Sequence, residues 1–363
     1  MVADGGTGDQ ADGNDGVVCV DNVLFGQYEI TESGVPTGWF GDTPKTVNVT
    51  DPSTCADRLL ALDDPDATFV NRQGSILVAK QDGGGNPLPG AGFTFTPNPF
   101  TGDATGVEVV DGTTNDHADA NDGFVCIDNV RPGTYTVTET TVPAGFFGDG
   151  DSESVVVDSP STCAERLGSV PPDAPDAIFT NLKGSIIIRK EAKDASTEAT
   201  NDLFAGASFT ITPNPTTGTG SLAVTDNELG GPDQFATGGL ICIDGVVKLP
   251  AGDSFSIVET NSNNSNYRKD ADTESVTVSA ASTCAVRTEI DDPDATFVNT
   301  PLSKIVVSFE SLAGPDVTKA TIACPPEAAD PTPEATPDAF DDTSETFTDL
   351  EPGTYNCTVV IDP

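Results

Sequence analysis

The sequence predicts an all-β protein: a row of small β-sandwich repeats arranged as an elongated rod. Three observations carry this. Glycine (36) and proline (28) are spread along all 363 residues, as many short strands joined by turns require. Apolar residues alternate with polar ones at a period of two, and no long stretch shows helical spacing. Above all, one pattern of strands and cysteines recurs along the chain.

The repeat unit can be followed strand by strand. It opens on Gly74-Ser-Ile-Leu-Val-Ala-Lys80, matched by Gly184-Ser-Ile-Ile-Ile-Arg-Lys190. A second strand follows, Gly90-Ala-Gly-Phe-Thr-Phe-Thr-Pro97 and Gly206-Ala-Ser-Phe-Thr-Ile-Thr-Pro213. Next comes a cysteine strand, Asp122-Gly-Phe-Val-Cys-Ile-Asp-Asn-Val130, with counterparts at Asp15–Val23 and Gly239–Gly245. It leads into an aromatic strand: Tyr28–Glu32, Tyr135–Glu139 and Phe255–Glu259. A Ser-Thr-Cys string stands at Ser53, Ser161 and Ser282, and each copy closes on a strand ending at Asn71, Asn181 or Asn299. Residues 74–182 and 183–300 therefore read as complete repeats. Residues 1–73 read as the back portion of one, and residues 301–363 as a divergent front portion. Asn71 and Lys80, like Asn181 and Lys190, are nine residues apart. That gap spans at most roughly 30 Å, so successive repeats are expected end to end.

The net charge of −42, from 58 acidic and 16 basic residues, argues against nucleic acid as a partner, since phosphate binding needs a basic face. It also keeps chains soluble and apart. No run of 18 apolar residues is present, so no helical membrane span is expected, and the start lacks the pattern of a signal peptide. The eight cysteines fall one couple per unit: Cys19/Cys55, Cys126/Cys163, Cys242/Cys284 and Cys324/Cys357. With no Cys-x-x-Cys and a single histidine, His117, disulfides are expected rather than zinc, and no metal or cofactor is expected. Disulfides imply an extracellular or cell-surface location, and each would stabilise its repeat by roughly 4 kcal/mol. The strings at Asp12–Gly16 and Asp119–Gly123 lack the bidentate glutamate of a calcium loop and read as ordinary turns. Trp39 and Phe40, like Phe146 and Phe147, are expected to pack the sandwich.

Parity along the strands brings out a more pointed feature. Lys80 shares a face with Ile76 and Val78, Glu139 with Tyr135 and Val137, and Asn181 with Phe179. Lys190, Glu259 and Asn299 repeat the arrangement. Each complete repeat thus aims a lysine, a glutamate and an asparagine at an apolar interior, where lone polar groups are costly. The three could satisfy one another as an ion pair with an amide hydrogen bond. Burial also lowers a lysine pKa and raises a glutamate pKa, which favours a nucleophilic amine beside a proton-carrying acid. That chemistry would join lysine to asparagine through an isopeptide bond with loss of ammonia.

At these residues the unit resembles the SpaA/Cna-B repeat of bacterial surface proteins and pilins, a transthyretin-like (prealbumin-like) member of the immunoglobulin-like sandwiches. The resemblance rests on Lys80 and Lys190, on Leu88-Pro-Gly-Ala91 and Phe204-Ala-Gly-Ala207, and on Pro132–Glu139 followed by Val142-Pro-Ala-Gly145. Asn181 and Asn299 complete it. It implies spontaneous isopeptide bonds Lys80–Asn181 and Lys190–Asn299, promoted by Glu139 and Glu259. Residues 1–73 keep Glu32 and Asn71 without the lysine, so Asn71 is expected to be unpaired. In the last segment Ser308 stands at the lysine position and Val359 at that of the glutamate, and no bond is expected there. The function implied is a structural shaft or stalk of a surface fibre, pilus or adhesin, not a metabolic enzyme. Its only chemistry would be one autocatalytic turnover per repeat. The incomplete ends, residues 1–73 and 301–363, point to other copies of itself end to end as partners, the alternative being a segment cut from a longer chain. The alternative is an adhesin or carbohydrate-binding module using inter-strand loops such as residues 98–122 and 214–238.

Overall fold

The computed structural model describes residues 1–11, 16–59, 65–118, 122–169, 173–193, 200–228, 230–287, 293–308, 319–323, 344–350 and 354–362. Among the described residues the protein is all-β apart from two short helices. Among the described residues no helix is long and apolar enough to cross a membrane. The chain forms two compact units, Met1–Pro143 with Gly148–Asn181, and Ala144–Phe147 with Leu182–Pro363.

The first unit begins with an antiparallel pair, β1 (Gly26–Ile30) and β2 (Lys45–Val49), followed by helix α1 (Cys55–Arg58). The sandwich proper comprises β3 (Gly74–Asp82), β4 (Gly92–Thr96), β5 (Val107–Val110), β6 (Phe124–Val130), β7 (Gly133–Thr141) and β8 (Ser152–Val157). Helix α2 (Cys163–Gly168) and β9 (Ala177–Asn181) complete it. One sheet runs β6-β3-β9 and the other β5-β4-β7-β8. Strand β3 is antiparallel to β6 and parallel to β9, so the first and last strands of the sandwich are neighbours pointing the same way. Inward residues Ile76, Val78, Phe93, Phe95, Val125, Ile127, Tyr135, Val137 and Phe179 fill the core, each at most 3% exposed.

The second unit repeats this plan. Its strands are β10 (Gly184–Lys193), β11 (Thr200–Leu203), β12 (Ser208–Thr212), β13 (Leu222–Thr225), β14 (Leu240–Val246), β15 (Phe255–Asn261), β16 (Tyr267–Arg268), β17 (Thr273–Val276) and β18 (Ala295–Pro301). One sheet runs β11-β10-β18-β16 with β14 also on β10, and the other runs β13-β12-β15-β17. Again the opening β10 lies parallel to the closing β18. Beyond it, β19 (Ser303–Ser308) pairs with β21 (Ser344–Leu350), and β20 (Lys319–Ala323) pairs with β22 (Thr358–Asp362).

The opening strands are buried on both faces, more deeply than alternation alone indicates. Leu77 packs on the Cys126–Cys163 disulfide and Ile187 on Cys242–Cys284, forming small second cores outside each sheet. The Cys19–Cys55 bridge forms as well. The fourth couple, Cys324/Cys357, differs from these three. Cys357, just before β22, is itself disulfide-bonded, but Cys324, the partner expected for it, lies outside the described residues. The pairing Cys324–Cys357 is therefore not among the described bridges and stays an expectation from the spacing.

The serine of each Ser-Thr-Cys string serves the same cover: Ser161 bonds Ser75, and Ser282 bonds Ser185. Thr162 and Glu165 close α2 with reciprocal capping bonds. The Asp-Asn of the cysteine strand has its own cause. Asn22 and Asn129 take positive φ (63° and 58°), and the third copy has Gly245 (71°) at that position, residue types that tolerate the left-handed region.

Two aromatic positions divide differently from expectation. Phe40 pairs with Arg72 and packs on the first core, whereas Trp39 is 43% exposed. Adjacent side chains on extended backbone point to opposite sides, so only one of the two can face inward. Phe147, paired with Leu182, is buried, while Phe146 is half-buried with Lys183 Nζ over its ring at 5.2 Å.

Candidate functional site

The three polar residues converge in each sandwich. Parallel pairing sets Lys80 opposite Phe179 and Asp82 opposite Asn181, so the lysine and asparagine lie on neighbouring strands, facing the same side. Glu139 reaches them from the facing sheet, where it stands opposite Phe93. The rings of Phe93 and Phe179, 5.0 Å apart, wall the site from below. Lys80 and Asn181 are 2% and 0% exposed.

Lys80 Nζ lies 3.2 Å from Glu139 Oε1 as an ion pair, and its direction falls outside hydrogen-bond geometry. Asn181 Nδ2 donates to the same Oε1 at 2.8 Å. The carboxylate therefore touches both the amine and the amide. Burial pushes the Lys80 ammonium below its ordinary value, opposed by the negative charges of Glu139 and Asp149.

The second sandwich holds the same set more tightly. Lys190 Nζ is 3.0 Å from Glu259 Oε2 and donates to Asn299 Oδ1 at 2.5 Å. Asn299 Nδ2 donates to Glu259 Oε1 at 3.0 Å. Phe209 and Phe297, also 5.0 Å apart, form the wall. Burial again lowers the lysine pKa, against the opposing charges of Glu259, Asp270 and Glu191.

Residues 1–73 hold two of the three groups. Asn71 Nδ2 donates to Glu32 Oε1 at 2.9 Å, and the buried Glu32 Oε2 and Asn71 Oδ1 have no partner among the described residues. In the second sandwich the equivalent oxygens receive Lys190. Lys304 is exposed on β19, and Ser308 ends that strand.

The sequence reading missed one participant. Asp149 donates its backbone N–H to Glu139 Oε2 at 3.3 Å, and its Oδ2 accepts the Thr180 N–H at 2.8 Å. Asp270 does the same for Glu259 and Val298, at 2.9 and 2.8 Å. Asp42 Oδ2 accepts the Val70 N–H at 3.1 Å. A hydrogen bond from Lys45 and two backbone N–H groups hold Asp42 at about 2. The available signal was the repeated Phe-Gly-Asp string at 40–42 and 147–149.

His117, Asp128 and Cys163 also come together, within 4.8 Å. Cys163 is bound in a disulfide and Asp128 accepts its backbone N–H, so the cluster offers no thiolate to a metal. His117 is exposed. Of the two candidate calcium loops, residues 12–15 and 119–121 lie outside the described residues.

Residues 74–165 match the family model of the SpaA prealbumin-like fold domain. This agrees with the two-sheet sandwich and with the resemblance carried by Lys80 and Glu139. Among solved structures, the chain is similar to the Bacillus anthracis TIE protein (16% identity, TM-score 0.40), covering 81% of this chain and 47% of that one. The chain thus spans about half the length of that protein. It is also similar to a streptococcal ancillary pilin (14% identity, TM-score 0.26, covering 78% and 80%). A third is a C-terminal fragment of the pilus adhesin SpaC from Lactobacillus rhamnosus GG (17% identity, TM-score 0.32, covering 64% and 98%). No curated protein matches the chain.

Proposed function

We propose that residues 1–363 form part of an extracellular shaft or stalk whose repeats are locked by intramolecular isopeptide bonds, Lys80–Asn181 and Lys190–Asn299. The observation that carries this reading is the buried lysine, glutamate and asparagine in contact at equivalent positions of two sandwiches. The reaction needs a neutral amine and an acid carrying the proton. Transfer of one proton from Lys80 to Glu139 across their contact supplies both. Lys80 Nζ then attacks Asn181 Cγ, forming the new C–N bond. Glu139 passes its proton to Asn181 Nδ2 and takes the second proton from the bonded Nζ, the old C–N bond breaks, and ammonia leaves. Lysine amine plus asparagine amide yields one secondary amide plus one ammonia, with the carboxyl group regenerated. The phenylalanine walls keep water from competing for the amide carbon.

On this reading residues 74–182 and 183–300 are complete repeats, and residues 1–73 and 301–363 are partial ones. The Cys19–Cys55, Cys126–Cys163 and Cys242–Cys284 disulfides support a location outside the cytosol. End-to-end association with other copies would extend the shaft, and light scattering at high concentration tests it: a strictly monomeric chain rules it out.

Intact-protein mass spectrometry tests the bonds. The chain should be lighter by two ammonia molecules beyond the hydrogens lost to disulfides. Glu139→Ala should restore one ammonia and Glu259→Ala the other. A full unmodified mass would sink the reading.

A further inference from the structure

The isopeptide reaction requires an acid on one sheet and an amide on the facing sheet to hold a common geometry. β9 is the edge strand of its sheet, supported by β3 on one side only. Its Thr180 N–H, immediately before Asn181, does not go to water but to Asp149 Oδ2, 2.8 Å away. The same aspartate directs its own backbone N–H at the acid, Glu139 Oε2. One residue thus grips both partners of the asparagine–glutamate contact.

The second sandwich has this grip and adds to it. Asp270 N–H lies 2.9 Å from both Glu259 Oε2 and Asn299 Oδ1, and its side chain takes the N–H of Val298, the residue before Asn299. The sequences around the two aspartates differ, Phe-Gly-Asp-Gly at 147–150 against Arg-Lys-Asp-Ala at 268–271, yet the contacts coincide. In residues 1–73 the side-chain half of the grip persists, from Asp42 to Val70 before Asn71. Three copies place the same acceptor on the backbone amide preceding the closing-strand asparagine, in two of them the asparagine facing a lysine.

Resting on the isopeptide reading, we propose that Asp149 and Asp270 are positioning residues for cross-linking, each clamping the amide-bearing strand against the promoting acid. Asp149 touches neither the amine nor the amide and acts through Thr180 and Glu139; Asp270 acts likewise through Val298 and Glu259 and also donates its backbone N–H to Asn299 Oδ1. Their contribution has two separable parts. The side-chain acceptor fixes the strand. The negative charge, facing Lys80 together with Glu139, and facing Lys190 together with Glu259 and Glu191, raises the lysine pKa against the larger lowering by burial and so opposes the reaction. Asparagine at position 149 keeps an acceptor and removes the charge; alanine removes both.

The test uses the full chain, made in a short cell-free pulse, with ammonia loss followed by intact mass over time and pH. The Lys190–Asn299 bond serves as an internal clock in every Asp149 variant. Asp149→Ala should slow the first bond up to about tenfold, the kinetic equivalent of one hydrogen bond, and leave the second on schedule. Asp149→Asn should recover the lost rate and move the rate–pH profile of the first bond to lower pH. Formation of the Cys126–Cys163 disulfide reports that the sandwich has folded in each variant. Asp149→Ala bonding at the wild-type rate would overturn the clamp, as would equal slowing by Ala and Asn at every pH. A wild-type chain that loses no ammonia would instead sink the isopeptide reading itself.

Discussion

Pulling on the chain offers the sharpest consequence of the two lysine–asparagine pairs. In the second sandwich, load entering β10 would pass from Lys190 straight to Asn299 through the cross-link and leave by β18. The 109-residue separation between the two would be shielded. Glu259→Ala removes the promoting acid and should expose that length to force. The Cys242–Cys284 bridge still locks 42 of those residues. About 67 residues remain, or roughly 230 Å of extended chain. Reducing the disulfide in the same variant should add about 140 Å. Single-molecule stretching of the native chain should therefore show no step from either sandwich. The variant should show one step of roughly 230 Å, lengthening under reductant. Glu139→Ala should do likewise in the first sandwich, where the disulfide spans 37 residues. A 230 Å step in the native protein, or none in Glu259→Ala, would refute the reasoning.

Two further outcomes concern the folded state before bonding. In Asn181→Ala the lysine stays free, with a folded pKa below its ordinary 10.5. Between that lowered value and 10.5 the unfolded chain binds more protons than the folded one, so stability should rise with pH across the window. Urea midpoints measured over alkaline pH should show this rise in Asn181→Ala and not in the parent, where the proposed bond would make Lys80 an amide. Gly123 sits at φ +88° with the Leu88 backbone nitrogen 2.7 Å from any added Cβ. Gly123→Ala in a Glu139→Ala background should cost about 1–3 kcal/mol by urea unfolding; an unchanged midpoint would show that the turn relaxes.

Much of this was readable from the residues. Period-two alternation placed Lys80, Glu139 and Asn181 on inward faces, because a strand side chain has only two directions to choose between. Recurrence then gave Lys190, Glu259 and Asn299 the equivalent inward positions of the second sandwich. The regular placing of cysteines led to three of the described disulfides; for Cys357 it led to a bonded sulfur whose expected partner, Cys324, is not described. Asp149 and Asp270 were not readable in the same way. Both act on backbone N–H groups, which leave no mark on the partner's identity, and both belong to a background of 58 acidic residues. The double burial of β3 was hidden too, since Leu77 is covered by a disulfide and a helix brought close only by folding. Trp39 shows the limit of matching neighbours: Trp39-Phe40 aligns with Phe146-Phe147, but the pairing of Phe40 with Arg72 decides which ring turns inward.

The parallel pairing of first and last strands has a consequence for how such a protein grows. Within each sandwich the chain enters at the Gly74 or Gly184 end of the opening strand and departs at the Asn181 or Asn299 end of a neighbour running the same way. Entrance and exit therefore fall at opposite ends of one sheet, where an antiparallel pair would have returned the chain to its starting edge. A duplicated gene segment encoding one sandwich can be spliced between two others without reversing the polarity of either. Each new copy arrives with its own lysine, acid and asparagine, so the proposed cross-link would need nothing from its neighbours. Copy number thus becomes a trait that selection can adjust without redesigning the sandwich.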